Sequence, residues 1–158
     1  MQPENPDRIV SDTGEVWRDR KRRVGGVDTA MTKAVFGVLG PRGTAERDYT
    51  LTLDGMTVNS YTDFATIALS SLTDDPIEHS DNMLLSAVGR ARNRGQQMDG
   101  EKLIDIGTGP IEAEIIDAEI AIRTDRKMLR VWAINSEGFY IGRLNTTCED
   151  GWLRFRIG

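Results

Sequence analysis

The chain has 158 residues, 39% of them hydrophobic and 28% charged, a composition that supports one buried core and excludes a chain disordered throughout. Lys and Arg number 20 against 25 Asp and Glu, and the resulting net charge of −5 argues against a nucleic-acid partner. No stretch approaches the roughly 18 consecutive apolar residues of a membrane-spanning helix, and a lone cysteine, Cys148, with a lone histidine, His79, excludes an intramolecular disulfide, a cysteine zinc cage and a paired-histidine metal site.

Residues 1–10 begin polar, carry Pro3 and Pro6 and have no apolar signal-peptide core. They read as a disordered or linker N-terminus, with residues 11–158 forming a single domain. That N-terminus fits either a cytoplasmic protein or a domain taken from a longer exported one. Residues 15–18 and 24–27 flank a basic turn and predict a hairpin. Residues 34–39 form a short apolar run. In residues 49–53 Tyr, Thr, Leu, Thr and Leu alternate as in a half-buried strand. Strands are also expected over residues 64–72 and 83–91. In the second of these a helix over 81–92 competes, and Gly89 favours the strand. Residues 115–123 place Ile116, Ala118, Ile120 and Ile122 at alternate positions. Residues 128–134 and 139–144, joined by Asn135-Ser136-Glu137-Gly138, read as another hairpin. At the end Leu153, Phe155 and Ile157 alternate with Trp152, Arg154 and Arg156. Turn signals at Gly40-Pro41-Arg42-Gly43, Asp54-Gly55, Asp99-Gly100 and Asp150-Gly151 separate these strands. Many short strands with Gly and Pro turns predict an all-β fold, an antiparallel, jelly-roll-like β-sandwich.

Several stretches occur in a familiar order. They are Ser11-Asp12-Thr13-Gly14-Glu15-Val16, Val27-Asp28-Thr29, Thr62-Asp63-Phe64-Ala65, Leu84-Leu85-x-Ala87-Val88-Gly89-Arg90-Ala91 and Gly151-x-Leu153-x-Phe155-x-Ile157-Gly158. From about Asp7 onward the chain resembles the β-sandwich region that follows the catalytic barrel in large bacterial glycoside hydrolases. The resemblance implies a non-catalytic accessory module, extracellular in its parent protein. Its implied partners are the catalytic domain of the same chain and a polysaccharide or oligosaccharide. The sequence departs from that pattern at Ala30, where proline is usual, and at Lys33, where glutamine is usual.

Sugar rings present faces of C–H groups that pack on flat aromatic rings, with hydroxyls that need polar partners alongside. The carbohydrate-binding candidates are therefore Trp152, Trp17, Trp132 and Tyr140, with Arg154 and Arg156 as polar flanks. Trp152 shares a strand face with both arginines, opposite an apolar face, and so is expected to point outward. The alternative is that it covers a sheet edge or packs on a neighbouring domain. Trp132 lies in a strand apolar on both faces, which favours the core. Trp17 precedes the basic run 18–23, and Tyr61 is a second-rank candidate. That basic run reads as a solvated hairpin tip. Arg90, Arg92 and Arg94 share a strand face that would suit an acidic sugar or simply be the wet side of a sheet. Asp74 and Asp75 would suit a structural calcium, the one cofactor considered. As acid and nucleophile of a glycosidase they lack the burial that such chemistry requires. A module that supports a catalytic barrel without binding sugar is the alternative function. It predicts a bare apolar patch rather than an aromatic platform.

Overall fold

The computed structural model describes residues 7–41, 43 and 49–158. Among the described residues there are seventeen strands and a 3-10 turn at Ile77–His79. Those that build the sandwich are β1 (Arg8–Val10), β2 (Val16–Asp19), β3 (Val24–Asp28), β4 (Thr32–Val38), β5 (Leu51–Leu53), β6 (Met56–Ser60), β7 (Phe64–Ser71), β8 (Met83–Val88), β13 (Ala118–Arg123), β16 (Thr146–Glu149) and β17 (Trp152–Ile157). One antiparallel sheet has the order β1-β2-β3-β4-β7-β8, and the other the order β16-β17-β13-β6-β5. The all-β fold expected from the sequence is therefore the one observed. Among the described residues no helix is long and apolar enough to cross a membrane.

Alternation decides which side of each sheet is dry. Ile120 stands opposite Phe155 on one side and Val58 on the other, while Ile122 stands between Leu153 and Met56. All six are buried, and with Val35, Ala65, Ile67 and Leu69 of the facing sheet they form one core cluster. Successive side chains on a strand point to opposite faces, so the intervening residues must lie on the outer surface. The turns behave as their sequences require. Asp150 and Gly151 both adopt positive φ, 53° and 77°, between the paired residues Glu149 and Trp152, as a type I′ hairpin demands.

The remaining strands form small two-stranded units with few buried residues. Leaving β8, the chain forms β9 (Ala91–Arg94), β10 (Gln97–Asp99), β11 (Lys102–Asp105) and β12 (Thr108–Ala113), in which β9 pairs with β12 and β10 with β11. The second late hairpin pairs β14 (Trp132–Ile134) with β15 (Tyr140–Arg143). Its turn is closed by Asn135, whose Oδ1 accepts the backbone N–H groups of Glu137 and Phe139.

Three expectations need correction or restriction. The linker expected over residues 1–10 ends sooner, because Arg8–Val10 pairs with β2 as an edge strand. Of the rest of that stretch, residues 1–6 lie outside the described residues, as does Arg42 of the expected turn. The single strand expected over 83–91 is two strands, β8 and β9, divided at Gly89-Arg90.

Candidate functional site

The outer face of the five-stranded sheet can be read strand by strand from the register. One row runs from Thr52 on β5 through Thr57 on β6, Ala121 on β13 and Arg154 on β17 to Thr147 on β16. The next row carries Asn59, Glu119 and Arg156. A third places Arg123 beside Trp152, which itself stands beside Glu149. Small side chains in the middle row, between longer ones on either side, leave a shallow depression of about 400 Å³ bordered by Thr57, Asn59, Glu119, Ala121, Arg154 and Arg156.

Ion pairs fix most of the charge on this face. Arg156 donates to both carboxylate oxygens of Asp117 at 2.7 Å, and its guanidinium lies 4.4 Å from the centre of the Tyr61 ring. Those hydrogen bonds hold the Asp117 carboxyl below its usual range and push the Arg156 guanidinium upward. The Tyr61 hydroxyl donates to Glu119 Oε1 at 3.2 Å, and that bond, the first cause, pushes the phenol up. Arg123 pairs with Asp54 at 3.1 Å and Glu78 at 3.3 Å. Arg154 differs: it is exposed and has no carboxylate within ion-pair distance among the described residues. Asn59 Oδ1 is buried in the wall of the depression without a hydrogen-bond partner among the described residues. The floor and walls therefore hold one uncommitted cation and one uncommitted amide, with a half-buried indole on the same face.

Three of the six sequence candidates, Trp152, Arg154 and Arg156, thus share one surface. Two others come together elsewhere. Trp132 and Tyr140, 47% and 75% exposed, face each other across the β14–β15 hairpin with ring centres 5.7 Å apart and planes inclined at 57°. The core position favoured for Trp132 is overturned, because its hairpin stands outside the two main sheets. The inclined rings edge a groove of about 610 Å³ that also touches Leu85, Leu144 and Phe155, and they do not form a flat platform. Trp17 is turned the other way. It lies on the core side of β2, in a row with Gly26, Val35 and Ile67, and packs against the core with Arg8 over its ring. Gly26 permits this, since a Cβ there would sit 2.8 Å from the indole.

The other candidates separate as well. Arg90 is bound to Asp63 and Glu114, and Arg92 and Arg94 share Glu112, so that row is internally neutralised. Asp74 and Asp75 are exposed, and among the described residues no three His, Cys, Asp or Glu side chains gather as metal ligands. His79 Nδ1 lies 2.8 Å from Asp125 on an exposed loop, and Cys148 is a free, exposed thiol. Thr57, Asn59 and Glu119 were not singled out as site residues from the sequence. The alternation Met56, Val58 against Thr57, Asn59, directly after Asp54-Gly55, was the available signal for the first two.

The part of the six-stranded sheet's outer face built by β4, β7 and β8 has the opposite character. Thr32, Ala34, Phe36 and Val38 of β4 lie beside Ser70, Ala68, Thr66 and Phe64 of β7, with Leu84, Ser86 and Val88 of β8 next to them, and none of these side chains is charged. Charge borders this part of the face: Arg18 of β2 stands in the same row as Gly25 and Phe36, and the Arg90 guanidinium lies 4.9 Å from the centre of the Phe64 ring. Comparison of the chain with protein families, with curated proteins and with solved structures finds no match in any of the three.

Proposed function

We propose that this chain is a non-catalytic accessory module of a glycoside hydrolase that binds plant-type polysaccharide on the outer face of its five-stranded sheet. The observation that carries the reading is the depression over Ala121, with Trp152, Arg154, Arg156, Asn59 and Glu119 on one surface. A polysaccharide lying there would stack a ring on the Trp152 indole while its hydroxyls meet the amide, carboxylate and guanidinium groups alongside. A module of this kind acts by keeping a tethered catalytic domain close to its polymer, through effective concentration alone. Affinity electrophoresis against soluble β-glucan, xylan, mannan and pectin tests it. Retardation by at least one polymer that is lost in Trp152→Ala supports the reading, and absence of retardation by all four overturns it.

A second reading is favoured by the uncharged outer face of β4, β7 and β8. In it the module supports the catalytic domain of its own parent chain, with that domain covering the face bearing Phe36 and Val88. Exposed apolar surface of this kind marks an interaction site more often than bare solvent. Co-purification of the chain with that catalytic domain, expressed separately, is the test. Phe36→Lys combined with Val88→Lys is expected to abolish association, and a melting curve of the isolated chain checks that the variant stays folded, because the Phe36 ring rests partly buried against Gly25.

A further inference from the structure

The charge arrangement in the depression specifies more than a generic sugar. Three arginines lie on this face of β13 and β17, and two of them are already held: Arg123 by Asp54 and Glu78, Arg156 by Asp117. Arg154 is the central one, with Ala121 on one side and Thr147 on the other in the register. Neither neighbour can reach across a guanidinium or neutralise it. A planar cation with five donors, exposed above a floor of small side chains, matches a carboxylate in bidentate geometry better than it matches hydroxyls.

We infer that the depression recognises an acidic polysaccharide, one whose uronic-acid carboxylate pairs with Arg154 while an adjoining ring lies on Trp152. The inference rests on the carbohydrate reading given above and narrows it to a substrate class. Generic attraction of a polyanion does not explain such a preference, because the chain itself carries a net charge of −5. Glu119 gives the arrangement its sharpest consequence. It sits two residues from Ala121 on β13 and is the carboxylate on the border of the depression. For an acidic ligand it is a repulsive neighbour, whereas for a neutral sugar it is a useful acceptor.

The test compares polygalacturonate with its fully methyl-esterified form, which keeps the backbone and removes the charge, at about 0.15 M ionic strength to screen distant charges. The intact chain is expected to bind the acid form at least about tenfold more tightly than the ester, the scale of one charge-assisted pair. Arg154→Met should remove that preference, and Glu119→Gln should strengthen binding of the acid form. Both positions are exposed on the sheet surface, so a melting curve confirms the fold in each variant. Equal binding of acid and ester overturns the inference, as does an Arg154→Met variant that keeps the preference or a Glu119→Gln variant that weakens acid binding. If only neutral β-glucan, xylan or mannan is bound, this inference fails and the carbohydrate reading survives. If no polymer is bound, both fail.

Discussion

Lys33 is the most informative single position for testing how the two sheets are locked together. It points to the core side of β4 and is only 6% exposed, yet it carries a charge. Its ammonium donates to Asp28 Oδ1 at 2.6 Å and to the carbonyl of Thr29 at 3.1 Å. The other oxygen of Asp28 accepts the backbone N–H of Asp54 at 2.8 Å, in the turn between β5 and β6. One carboxylate therefore clamps the six-stranded sheet to a turn of the five-stranded one. Lys33→Met keeps most of the apolar stem and removes the charge, leaving Asp28 with the Asp54 amide alone. Breaking a fully buried pair from one side costs about 3–5 kcal/mol, but the Asp28 side chain is 24% exposed. A loss of about 2–3 kcal/mol is the appropriate expectation. For a domain of this length that lowers the melting temperature by roughly 4–12 °C, measurable by calorimetry or circular dichroism. The double variant Lys33→Met with Asp28→Asn should recover most of the loss, because no unpaired charge remains. A single variant melting within about 1 °C of the parent, or a double variant whose loss is the sum of the two singles, would refute the clamp.

Three further outcomes are expected. The Asp117 carboxyl is held below its ordinary value of 3.8 by Arg156, so its contribution is present above that value and lost as pH falls through the lowered one. Asp117→Asn should accordingly flatten the acid limb of a plot of melting temperature against pH, and an unchanged limb would remove the pair from the explanation. Ala121→Leu fills the depression from an outward position. It should abolish polymer retardation while shifting stability by no more than about 0.5 kcal/mol, and retained binding would move the site elsewhere. Gly26→Val places methyl groups where the Trp17 indole lies, so a cost of about 1–3 kcal/mol and a red-shifted tryptophan emission are expected. An unshifted spectrum would show that the ring does not rest on that glycine.

What the sequence made legible follows from what period-two alternation encodes. Leu153, Phe155 and Ile157 against Trp152, Arg154 and Arg156 identify both the dry and wet faces of β17, because a strand in the middle of a sandwich sheet turns one face toward the core. Trp17 was not legible in this way. Its charged neighbours do not decide which way it points, and the glycine that receives its ring lies across the register on β3. Trp132 failed for the complementary reason: an apolar local sequence says nothing about whether a hairpin joins the main sheets or stands beside them. The depression was invisible because its floor comes from three strands far apart in sequence, and no local pattern announces that Thr57, Ala121 and Arg154 form one row. The free state of Arg154 was hidden for the same reason. It emerges only once Asp117, Asp54 and Glu78 are seen to be committed to the other two arginines.

The two outer faces together constrain how the module would be mounted. In a chain with 28% charged residues, the outward positions of β4, β7 and β8 would by composition alone carry about three charges, and they carry none. The outward positions of β13 and β17 hold Glu119, Arg123, Arg154 and Arg156. An exposed antiparallel sheet ordinarily carries its polar residues on the solvent side, so the uncharged surface is the anomalous one and calls for a cover. The sheets of a sandwich lie only about 10 Å apart, and their outer faces look in opposite directions. A catalytic domain seated on β4, β7 and β8 would therefore leave the depression over Ala121 facing away from it, open to polymer arriving from solvent. The binding and support readings then cease to compete, since each needs a different face and neither obstructs the other. That arrangement has its own consequence: Phe36→Lys with Val88→Lys should release the catalytic domain without changing affinity for polysaccharide, whereas Arg154→Met should do the reverse. A variant of either face that disturbs both properties would mean that the two surfaces do not act separately.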